Sequence, residues 1–551
     1  MSKNISELSG RQGLENNLFD RYGQLTADSG APDKEKLAEL ADEFLIGTAN
    51  TYGATTFYDF LKPENRHKKV YVCNGSVCNC AGTQEVLKKS LLAHFKEEEI
   101  GQMCCLGRCH ENAAFHYAGH NYSGVTSDDL ASILEKTNGQ SIRDKYHIGH
   151  LGTPVLINMN IQADNIAPLV KQLVDSDKEQ LLKEIKESGL RGRGGAGFPI
   201  GMKLQYCKLE KSDTKFIICN GDEGDPGAFS DRYLLEEKPF AVLLGMMIAG
   251  QVIGAQWGVI YIRAEYPESV KIIEESIRKM GDAGLLGKNI LGSTFHFHFK
   301  VIKAQGSYIC GEETALINSI EGQRPEVRIR PPYPAQQGLF NKPTVVNNVE
   351  TLAVLPYILE HGGKAYASLG TEKSNGTKLV SLDSHFNHPG ICEVEMGTPL
   401  RKVINEFGQG FRKEVKALHI GGPLGGMVPI QKIDDLTVDF ESFDRQGFLL
   451  GHASIVSIPK DYPMIQYLEH LFEFAADESC GKCFPCRLGT RRAQEMIEKS
   501  RTSKFKIDGK LFDDLLHTLE TGSLCAHGGG IPLPVRNALQ YFKNELTTYF
   551  A

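Results

Sequence analysis

The pattern of apolar and polar positions along the chain predicts alternating helices and strands. Helical spacing of apolar residues appears over 35–60 and 83–99, and the short apolar run KKVYVC lies between them. From about 150 to 370, helical patterns such as DSDKEQLLKEIKESGL alternate with strand-like runs such as KFIICN and GVIYIRAE. Such alternation predicts a mostly parallel sheet with helices on both faces. The predicted fold class is therefore α/β.

The same pattern divides the chain into four predicted domains. A helical segment and a small α/β module with two cysteine loops occupy 1–145, and the larger α/β domain occupies 150–370. Short strands around one helix, PLRKVINEFG, predict a small α+β domain over 374–460, and a mostly helical domain follows over 461–551. A chain of 551 residues is too long for one hydrophobic core, so a multidomain protein is expected.

One uncharged stretch, Ala241 to Ile262, is nominally long enough to span a bilayer. It contains two glutamines and several glycines, and its second half, WGVIYI, is β-branched and aromatic. We therefore interpret it as a buried helix that leads into a buried strand, with a membrane span as the alternative.

Composition and charge narrow the class of protein. Hydrophobic residues at 41% and charged residues at 23% are typical of a soluble globular protein. The net charge of −7 and the lack of a Lys/Arg run argue against nucleic acid as a partner. The polar N-terminus, MSKNISELSGRQGLENN, has no apolar core of the kind that secretion requires, so we expect a cytoplasmic protein. Its 14 cysteines fall into clusters, which indicates metal ligation rather than disulfides.

The strongest motif is ESCGKCFPCRLGTRR, which contains Cys480, Cys483 and Cys486. The spacing C-x2-C-x2-C can provide three ligands to a [4Fe–4S] cluster, and Cys525 in SLCAHGGG is the only later cysteine, so it is the expected fourth ligand. Zinc is the alternative, although zinc modules usually group their ligands two and two. His527 is either a neighbour of this cluster that makes its potential pH-dependent or a surface or capping residue.

A second cysteine set lies near the N-terminus. Cys73 and Cys78 form one pair, Cys105 and Cys109 form another, and two pairs on two loops suit a [2Fe–2S] cluster. Two structural zinc pairs are the alternative. Cys80 and Cys104 are left over in this scheme, either as small buried thiols or as replacements for a neighbouring ligand.

Two loops in the 150–370 region have the composition of a nucleotide site. GLRGRGGAGFPIGMK offers a flexible backbone and positive charge that can approach a phosphate closely, with two aromatic rings beside it. CNGDEGDPGAFSDR offers carboxylates that can accept hydrogen bonds from a ribose and that would repel a 2′-phosphate, which favours NAD over NADP. The candidate residues are Gly192, Arg193, Gly194, Gly195, Ala196, Gly197, Phe198, Lys203, Tyr206, Asp222, Glu223 and Asp225. A plain turn and a solvated acidic loop are the alternatives.

Two later stretches, GSYICGEETALINSIEG and RPPYPAQQGLFNKPTVVNNVET, add polar residues in loops between strands and helices. Asparagine amides both donate and accept hydrogen bonds, which suits a flavin edge or a phosphate, while turn formation is the alternative. The candidates here are Tyr308, Glu312, Glu313, Arg330, Asn347 and Asn348.

Taken together, GLRGRGGAGFP, NGDEGDPGAF, YICGEETAL, GLFNKPTVVNNVETL and the C-terminal cysteine motif resemble the flavin-bearing NADH-oxidising subunit of respiratory complex I and its relatives over 180–540. Residues 35–140, with TFYDFL, CNGSVC and CLGRC, resemble the thioredoxin-like [2Fe–2S] subunit of that family. A fusion of the two is similar to the diaphorase subunit of NAD-linked nickel–iron hydrogenases and formate dehydrogenases.

The resemblance implies four folds: a thioredoxin-like ferredoxin domain, a Rossmann-like FMN and NADH domain, a small ubiquitin-like domain and a C-terminal helical bundle with an iron–sulfur cluster. It implies FMN in the glycine-rich loop, with Asn220 and Gly311 added to the candidates around it, and NADH against Phe198, Tyr206, Asp225 and Glu313. It also implies other iron–sulfur and catalytic subunits as partners. The competing hypotheses are the flavin subunit of an electron-bifurcating complex and a non-catalytic electron-transfer or scaffold subunit.

Overall fold

The computed structural model describes residues 11, 13–14, 17–29, 33–65, 67–125, 127–135 and 146–551. The predicted boundary at residue 145 lies outside them. Three helices come first along the chain, at Leu18–Ser29, Lys34–Glu43 and Thr48–Thr55.

The first sheet carries the N-terminal cysteine loops. Its strands are β1 (Val70–Cys73), β2 (Ile100–Met103), β3 (Phe115–Tyr117) and β4 (His120–Tyr122), in the order β2-β1-β3-β4. β1 and β2 are parallel and the other pairs are antiparallel. The helices Ser76–Ala81, Gln84–Leu91 and Ser127–Glu135 accompany this sheet. This mixed sheet agrees with the expected thioredoxin-like module.

The second sheet is fully parallel and forms the centre of the molecule. Its strands are β6 (Phe216–Gly221), β7 (Trp257–Ile262), β8 (His298–Lys303) and β9 (Thr344–Asn348), and their order in the sheet is β8-β7-β6-β9. Strand β5 (His147–Leu151) precedes them in the chain but belongs to another sheet. The helices of this region are Ile166–Asp175, Lys178–Glu187, Ile200–Leu209, Ser230–Glu237, Pro239–Ile253, Pro267–Asp282, Glu313–Ile320, Val349–Ala353, Leu355–His361 and Gly363–Ala367.

The uncharged stretch 241–262 forms a buried helix followed by a strand, as expected. Helix Pro239–Ile253 is buried on nearly all sides, and β7 follows it directly after a turn. Among the described residues, no helix has both the length and the apolar character needed to cross a membrane.

The N-terminal helices pack on the parallel sheet rather than on the first sheet. Leu18, Leu40 and Tyr58 belong to one buried cluster with Ile218 of β6 and Val259 of β7. The hydroxyl groups of Tyr58 and Ser319 lie 2.7 Å apart within this cluster. The first part of the 1–145 region therefore completes the core of the next region, which the local sequence pattern does not reveal.

The third sheet is mixed. Its strands β10 (Thr377–Leu382), β11 (Gly390–Glu395), β12 (Val415–Ile420), β13 (Gly426–Pro429) and β14 (Ser454–Pro459) lie in the order β13-β12-β14-β10-β11, and β5 extends the sheet beside β11. The helices Leu400–Lys402 and Phe440–Arg445 accompany it, and residues Val403–Phe407 form a π-helical turn. The predicted boundary at residue 150 thus falls inside a strand of this sheet.

The C-terminal region is helical, as predicted, with helices Met464–Asp477, Phe484–Thr502, Gly509–Gly522, Ala526–Gly530, Pro532–Tyr541 and Lys543–Leu546. Leu468, Ile497, Leu516 and Val535 meet in its core. The expected α/β multidomain fold class is confirmed.

A buried ion pair joins the parallel sheet region to the third sheet, and it generates a prediction. Glu350, just after β9, and Lys378 in β10 have fully buried side chains in direct contact, and Glu350 also accepts from the Leu379 backbone N–H at 3.0 Å. Lys378→Met leaves this carboxylate without its cation, and we expect a loss of about 3–5 kcal/mol in the free energy of unfolding, measured by urea unfolding. The double variant Lys378→Met/Glu350→Met should recover most of the loss, and a single variant as stable as the wild type would contradict the prediction.

Candidate functional site

The candidate site lies at the carboxyl edge of the parallel sheet, between β6 and β9. From β6 the chain continues to β7 and β8 on one side, whereas β9 lies on the other side, so the loops that leave β6 and β9 diverge here. Ligands of open parallel sheets bind in the crevice at such a switch point. Asn220 and Asp222 end β6 or follow it, and Asn347 and Asn348 end β9.

The glycine-rich loop closes onto this crevice. The Gly192 N–H donates to the Phe198 carbonyl at 2.9 Å, and Gly195 and Gly197 adopt φ values of 131° and 61°, which favour glycine. A Cβ added at Gly194 would lie 2.9 Å from the Asn348 Cβ, so the loop packs tightly against the end of β9. Gly194, Ala196 and Phe198 are on its exposed side.

The arginines of this loop are already bound within the protein. Arg193 is fully buried, and its guanidinium donates to the Tyr366 hydroxyl at 2.9 Å and to the carbonyls of Asn375 at 2.6 Å and Thr377 at 3.0 Å. Arg191 pairs with Glu441 at 2.6 Å. The expectation that these two charges face a phosphate is therefore corrected, because both guanidinium groups anchor the loop to neighbouring segments instead.

A network of four charges lies beside the loop. The Lys203 ammonium donates to Glu313 at 2.9 Å and to the Val346 carbonyl of β9 at 2.7 Å. Arg330 bridges Glu312 at 2.7 Å and Glu313 at 3.3 Å. The Glu312 carboxylate also caps helix Glu313–Ile320 by accepting from the backbone N–H groups of residues 314 and 315. The structure thus brings together four charged residues from three separate segments of the chain.

Two buried polar atoms in the crevice have no hydrogen-bond partner among the described residues. They are Oδ2 of Asp222 and Nδ2 of Asn347, and burial raises the pKa of Asp222 well above its usual value. Asn220 donates to the Gly311 carbonyl at 2.8 Å, and a Cβ at Gly311 would be 3.4 Å from the Asp222 carbonyl. An unsatisfied acceptor and an unsatisfied donor fit a flavin, whose ring edge carries both N–H and carbonyl groups.

Glu223 does not share this open position. Its carboxylate accepts from the backbone N–H groups of Asp231 at 2.9 Å and Arg232 at 3.1 Å, and it lies 3.9 Å from His452. His452 contacts Asp231 at 3.1 Å, and Asn348 donates to the same carboxylate at 2.6 Å. Burial alone would lower the pKa of His452, but Asp231 raises it to about 9. Sequence analysis missed His452 and Asp231, because only the tertiary fold brings the third sheet to this loop.

The mouth of the crevice is aromatic and acidic. Phe198 and Tyr206 are 46% and 48% exposed, so both rings are accessible to a ligand. The Tyr308 hydroxyl donates to Asp225 at 2.8 Å, and its backbone N–H donates to Glu478 at 2.8 Å. Burial, followed by Asp59, raises the pKa of Glu478 to about 8. Tyr308 thus links the acidic loop to the segment that precedes Cys480.

The four C-terminal cysteines lie together at two helix N-termini. Cys483 precedes helix Phe484–Thr502, and Cys525 precedes helix Ala526–Gly530. Burial raises the pKa of Cys525 to about 12, and the Glu312 carboxylate, Cys480 and Cys486 act in the same direction. Four neighbouring thiols without disulfides fit a metal cluster, and the hydrogen bond from the Tyr308 N–H to Glu478, two residues before Cys480, joins this set to the crevice.

His527 is buried beside the C-terminal set, not on the surface. Its Nε2 lies 2.8 Å from the Ala475 carbonyl, and its ring centre lies 5.7 Å from that of Tyr308. Burial lowers the pKa of His527, which keeps the ring neutral near pH 7. The surface hypothesis is therefore wrong.

The four N-terminal cysteines are also brought together. Cys105 and Cys109 have sulfur atoms 3.4 Å apart, and Cys78, Cys105 and Cys109 all act electrostatically on the Cys73 thiol. The Gly227 N–H of the acidic loop donates to Cys109 at 3.2 Å. The set fits a [2Fe–2S] cluster held by two loops, and Gly227 connects it to the crevice.

The leftover thiols Cys80 and Cys104 differ in position. A Cβ added at Gly75 would lie 3.4 Å from the Cys73 sulfur and 3.5 Å from the Cys104 sulfur, so Cys104 is next to the set. Burial raises the pKa of Cys80 well above its usual value, with Asp383 adding to it, and Cys80 lies near Tyr467 instead.

Three family models match the chain. Residues 185–357 match the Nuo51 FMN-binding domain, residues 466–549 match the NADH-ubiquinone oxidoreductase-F iron–sulfur binding region, and residues 23–138 match the thioredoxin-like [2Fe–2S] ferredoxin. These matches agree with the order of the folds expected from the sequence.

Relatives and solved structures agree with the family models. The chain is 41% identical over 364 residues to the NADP-reducing hydrogenase subunit HndC of Solidesulfovibrio fructosivorans. The aligned region covers 66% of this chain and 74% of that protein. It is 37% identical over 382 residues to the mitochondrial NADH dehydrogenase [ubiquinone] flavoprotein 1 of Dictyostelium discoideum, and this aligned region covers 68% of this chain and 80% of that protein. A crystal structure of an NAD+-reducing [NiFe]-hydrogenase in the air-oxidized state superposes with a TM-score of 0.85 at 26% identity and covers 100% of this chain and 95% of that one. The chain therefore belongs to the family of flavin-bearing, NADH-oxidising oxidoreductase subunits found in complex I and its hydrogenase relatives, here fused to a thioredoxin-like [2Fe–2S] domain.

Proposed function

We propose that this chain is the NADH/NAD+ diaphorase subunit of a cytoplasmic, multi-subunit oxidoreductase such as an NAD-linked hydrogenase, a formate dehydrogenase or a complex I-like enzyme. One observation carries the proposal: the crevice between β6 and β9 is connected to both four-cysteine sets, through Gly227 to Cys109 and through the Tyr308 N–H to Glu478, two residues before Cys480. We propose that the four domains predicted from the sequence are the functional units of this diaphorase.

FMN is the proposed cofactor of the crevice. The glycine-rich loop would hold its phosphate with backbone N–H groups, and Asp222 and Asn347 would hydrogen-bond its ring with the two atoms that lack partners. When bound, FMN supplies the conversion between the two electrons of NADH and the single electrons that iron–sulfur clusters carry. Lys203 holds positive charge beside the loop, and Asn348 fixes the loop against β9.

The NADH site is proposed at the mouth of the crevice. Phe198 and Tyr206 offer exposed rings for stacking, and Asp225 and Glu313 offer carboxylates to ribose hydroxyls. The acidic loop that contains Asp222, Glu223 and Asp225 would also repel a 2′-phosphate, so we propose NADH rather than NADPH as the substrate.

The cysteines are proposed to hold two clusters, [2Fe–2S] at Cys73, Cys78, Cys105 and Cys109 and [4Fe–4S] at Cys480, Cys483, Cys486 and Cys525. Such a chain needs partner subunits with their own iron–sulfur or catalytic centres, because nothing among its described residues provides a site for a terminal substrate. The fourteen cysteines are free of disulfides, which agrees with a reducing compartment.

Anaerobic addition of NADH tests the function directly. We expect the purified protein to contain about six iron atoms per flavin, four and two for the two clusters, and NADH to bleach the flavin absorbance within the mixing time of a stopped-flow instrument. NADPH at the same concentration should act at least tenfold more slowly. A protein with iron but with no response to NADH would support the scaffold hypothesis, and a protein with zinc in place of iron would contradict both.

Truncation of the exposed ring tests the NADH site. Phe198→Ala should raise the KM for NADH about three- to tenfold at unchanged flavin content, because stacking of this kind is worth about 0.5–1.5 kcal/mol. Leu209→Ala is the matched control, since Leu209 is 70% exposed at the end of helix Ile200–Leu209. Equal KM values in the two variants would place the nucleotide elsewhere.

Cysteine variants test the two ligand sets separately. Cys525→Ala should abolish the electron paramagnetic resonance (EPR) signal of the [4Fe–4S] cluster and leave that of the [2Fe–2S] cluster, and Cys109→Ala should do the reverse, because each removes one of four ligands. Cys80→Ala is the control and should keep both signals. If Cys104→Ser loses the [2Fe–2S] signal and Cys105→Ser keeps it, then Cys104 rather than Cys105 is the ligand.

A further inference from the structure

A buried ion pair lies between the N-terminal cysteine set and the candidate flavin crevice. Arg263 and Glu265 follow β7 directly, their side chains are 2% and 1% exposed, and Nη2 of Arg263 lies 2.6 Å from Oε1 of Glu265. A buried pair of this kind is costly to form, because both ions lose their hydration. Its position therefore calls for a role beyond stability.

Arg263 makes hydrogen bonds to both neighbouring loops. Its guanidinium donates to the carbonyl of Cys104 at 3.2 Å, next to the proposed ligand Cys105. It also donates to the carbonyl of Glu223 in the acidic loop. One side chain thus joins the two loops that carry the two proposed redox centres.

The residues around Arg263 strengthen this connection. The Tyr266 hydroxyl donates to Glu223, at 3.2 Å from its carbonyl and 3.1 Å from its carboxylate. A Cβ added at Gly107 would lie 2.6 Å from the Tyr266 ring, so the ring packs directly on the cysteine loop. Asn121 of β4 donates to the Glu265 carbonyl. Segment 263–266 is therefore held rigidly by both domains.

The pair also acts electrostatically on the crevice. Burial raises the pKa of Asp222, while Arg263 lowers it and Glu265 raises it. Oε2 of Glu265 has no partner among the described residues, so its negative charge is not cancelled by further donors.

We propose that Arg263 and Glu265 are positioning residues that set the reduction potential of the [2Fe–2S] cluster relative to that of the flavin. This inference rests on the proposed function. One-electron reduction makes a cluster with four thiolate ligands more negative by one charge, so a buried cation nearby favours the reduced state and a buried anion opposes it. The two members of the pair should therefore act with opposite signs.

Opposite signs distinguish this role from a merely structural one. Glu265→Gln keeps the size and shape of the side chain and should raise the midpoint potential of the [2Fe–2S] cluster. Arg263→Met should lower it, and Arg263→Lys, which keeps the charge, should lie close to the wild type. The measurement is an EPR-monitored redox titration of the full chain in its complex, with the [4Fe–4S] signal as an internal reference that should not move.

Glu321→Gln is the matched control, because Glu321 forms an equally buried pair with Arg328 at 2.6 Å and contacts neither cysteine loop. It should destabilise the protein but leave both potentials unchanged. If Arg263→Met does not assemble its cluster, the potential of Glu265→Gln alone tests the inference.

An unchanged or lowered [2Fe–2S] potential in Glu265→Gln, with its signal intact, would overturn the inference and leave the proposed function standing. A wild-type protein without a [2Fe–2S] signal would contradict the proposed cluster itself, and the inference with it.

Discussion

The arrangement of the molecule depends on the strand order around β6 in the parallel sheet. Because β9 lies on one side of β6 and β7 on the other, the loops that follow the strands separate and leave a crevice at the carboxyl edge. The acidic loop after β6 extends from this crevice to Cys109, and the segment after β8 reaches Glu478, two residues before Cys480, through the Tyr308 N–H. The strand order thus determines which segments can reach the site, before any side chain is considered.

A buried carboxyl group by itself does not mark the site, because this protein buries several ionisable side chains for structural reasons. Glu393 is 1% exposed, yet it accepts hydrogen bonds from the backbone N–H groups of Val155, Leu156 and Ile157. Glu223 accepts in the same way from two backbone N–H groups in the first turn of helix Ser230–Glu237. Asp222 differs, because one of its oxygens has no partner among the described residues although it is buried. An incomplete set of hydrogen bonds in a crevice is the better sign of a missing ligand.

The sequence predicted the features that depend on local spacing. Alternating helical and strand patterns predicted the parallel sheet, and the C-x2-C-x2-C motif with Cys525 predicted a thiol set that the fold does bring together. The features that were missed depend on contacts between distant segments. No local signal shows that β5 joins the third sheet, that the N-terminal helices pack on β6 and β7, or that His452 meets Asp231. The direction of Arg193 was missed for the same reason, because three of its acceptors, Tyr366, Asn375 and Thr377, lie more than 170 residues away.

The fusion of the cysteine module to the flavin region has a physical consequence for electron transfer. In this chain the cysteine module shares one buried cluster with the flavin region, so the two units cannot separate without exposing Val77 and Leu106 together with Phe229 and Tyr266. The contact between Gly227 and Cys109 and the hydrogen bonds of Arg263 are therefore interior contacts with a fixed geometry, whereas separate chains would have to form them by association. Electron transfer requires that distance and orientation be kept constant over many turnovers. A shared core provides that constancy on the N-terminal side of the crevice, while the contacts of Tyr308 with Glu478 and His527 provide it on the C-terminal side.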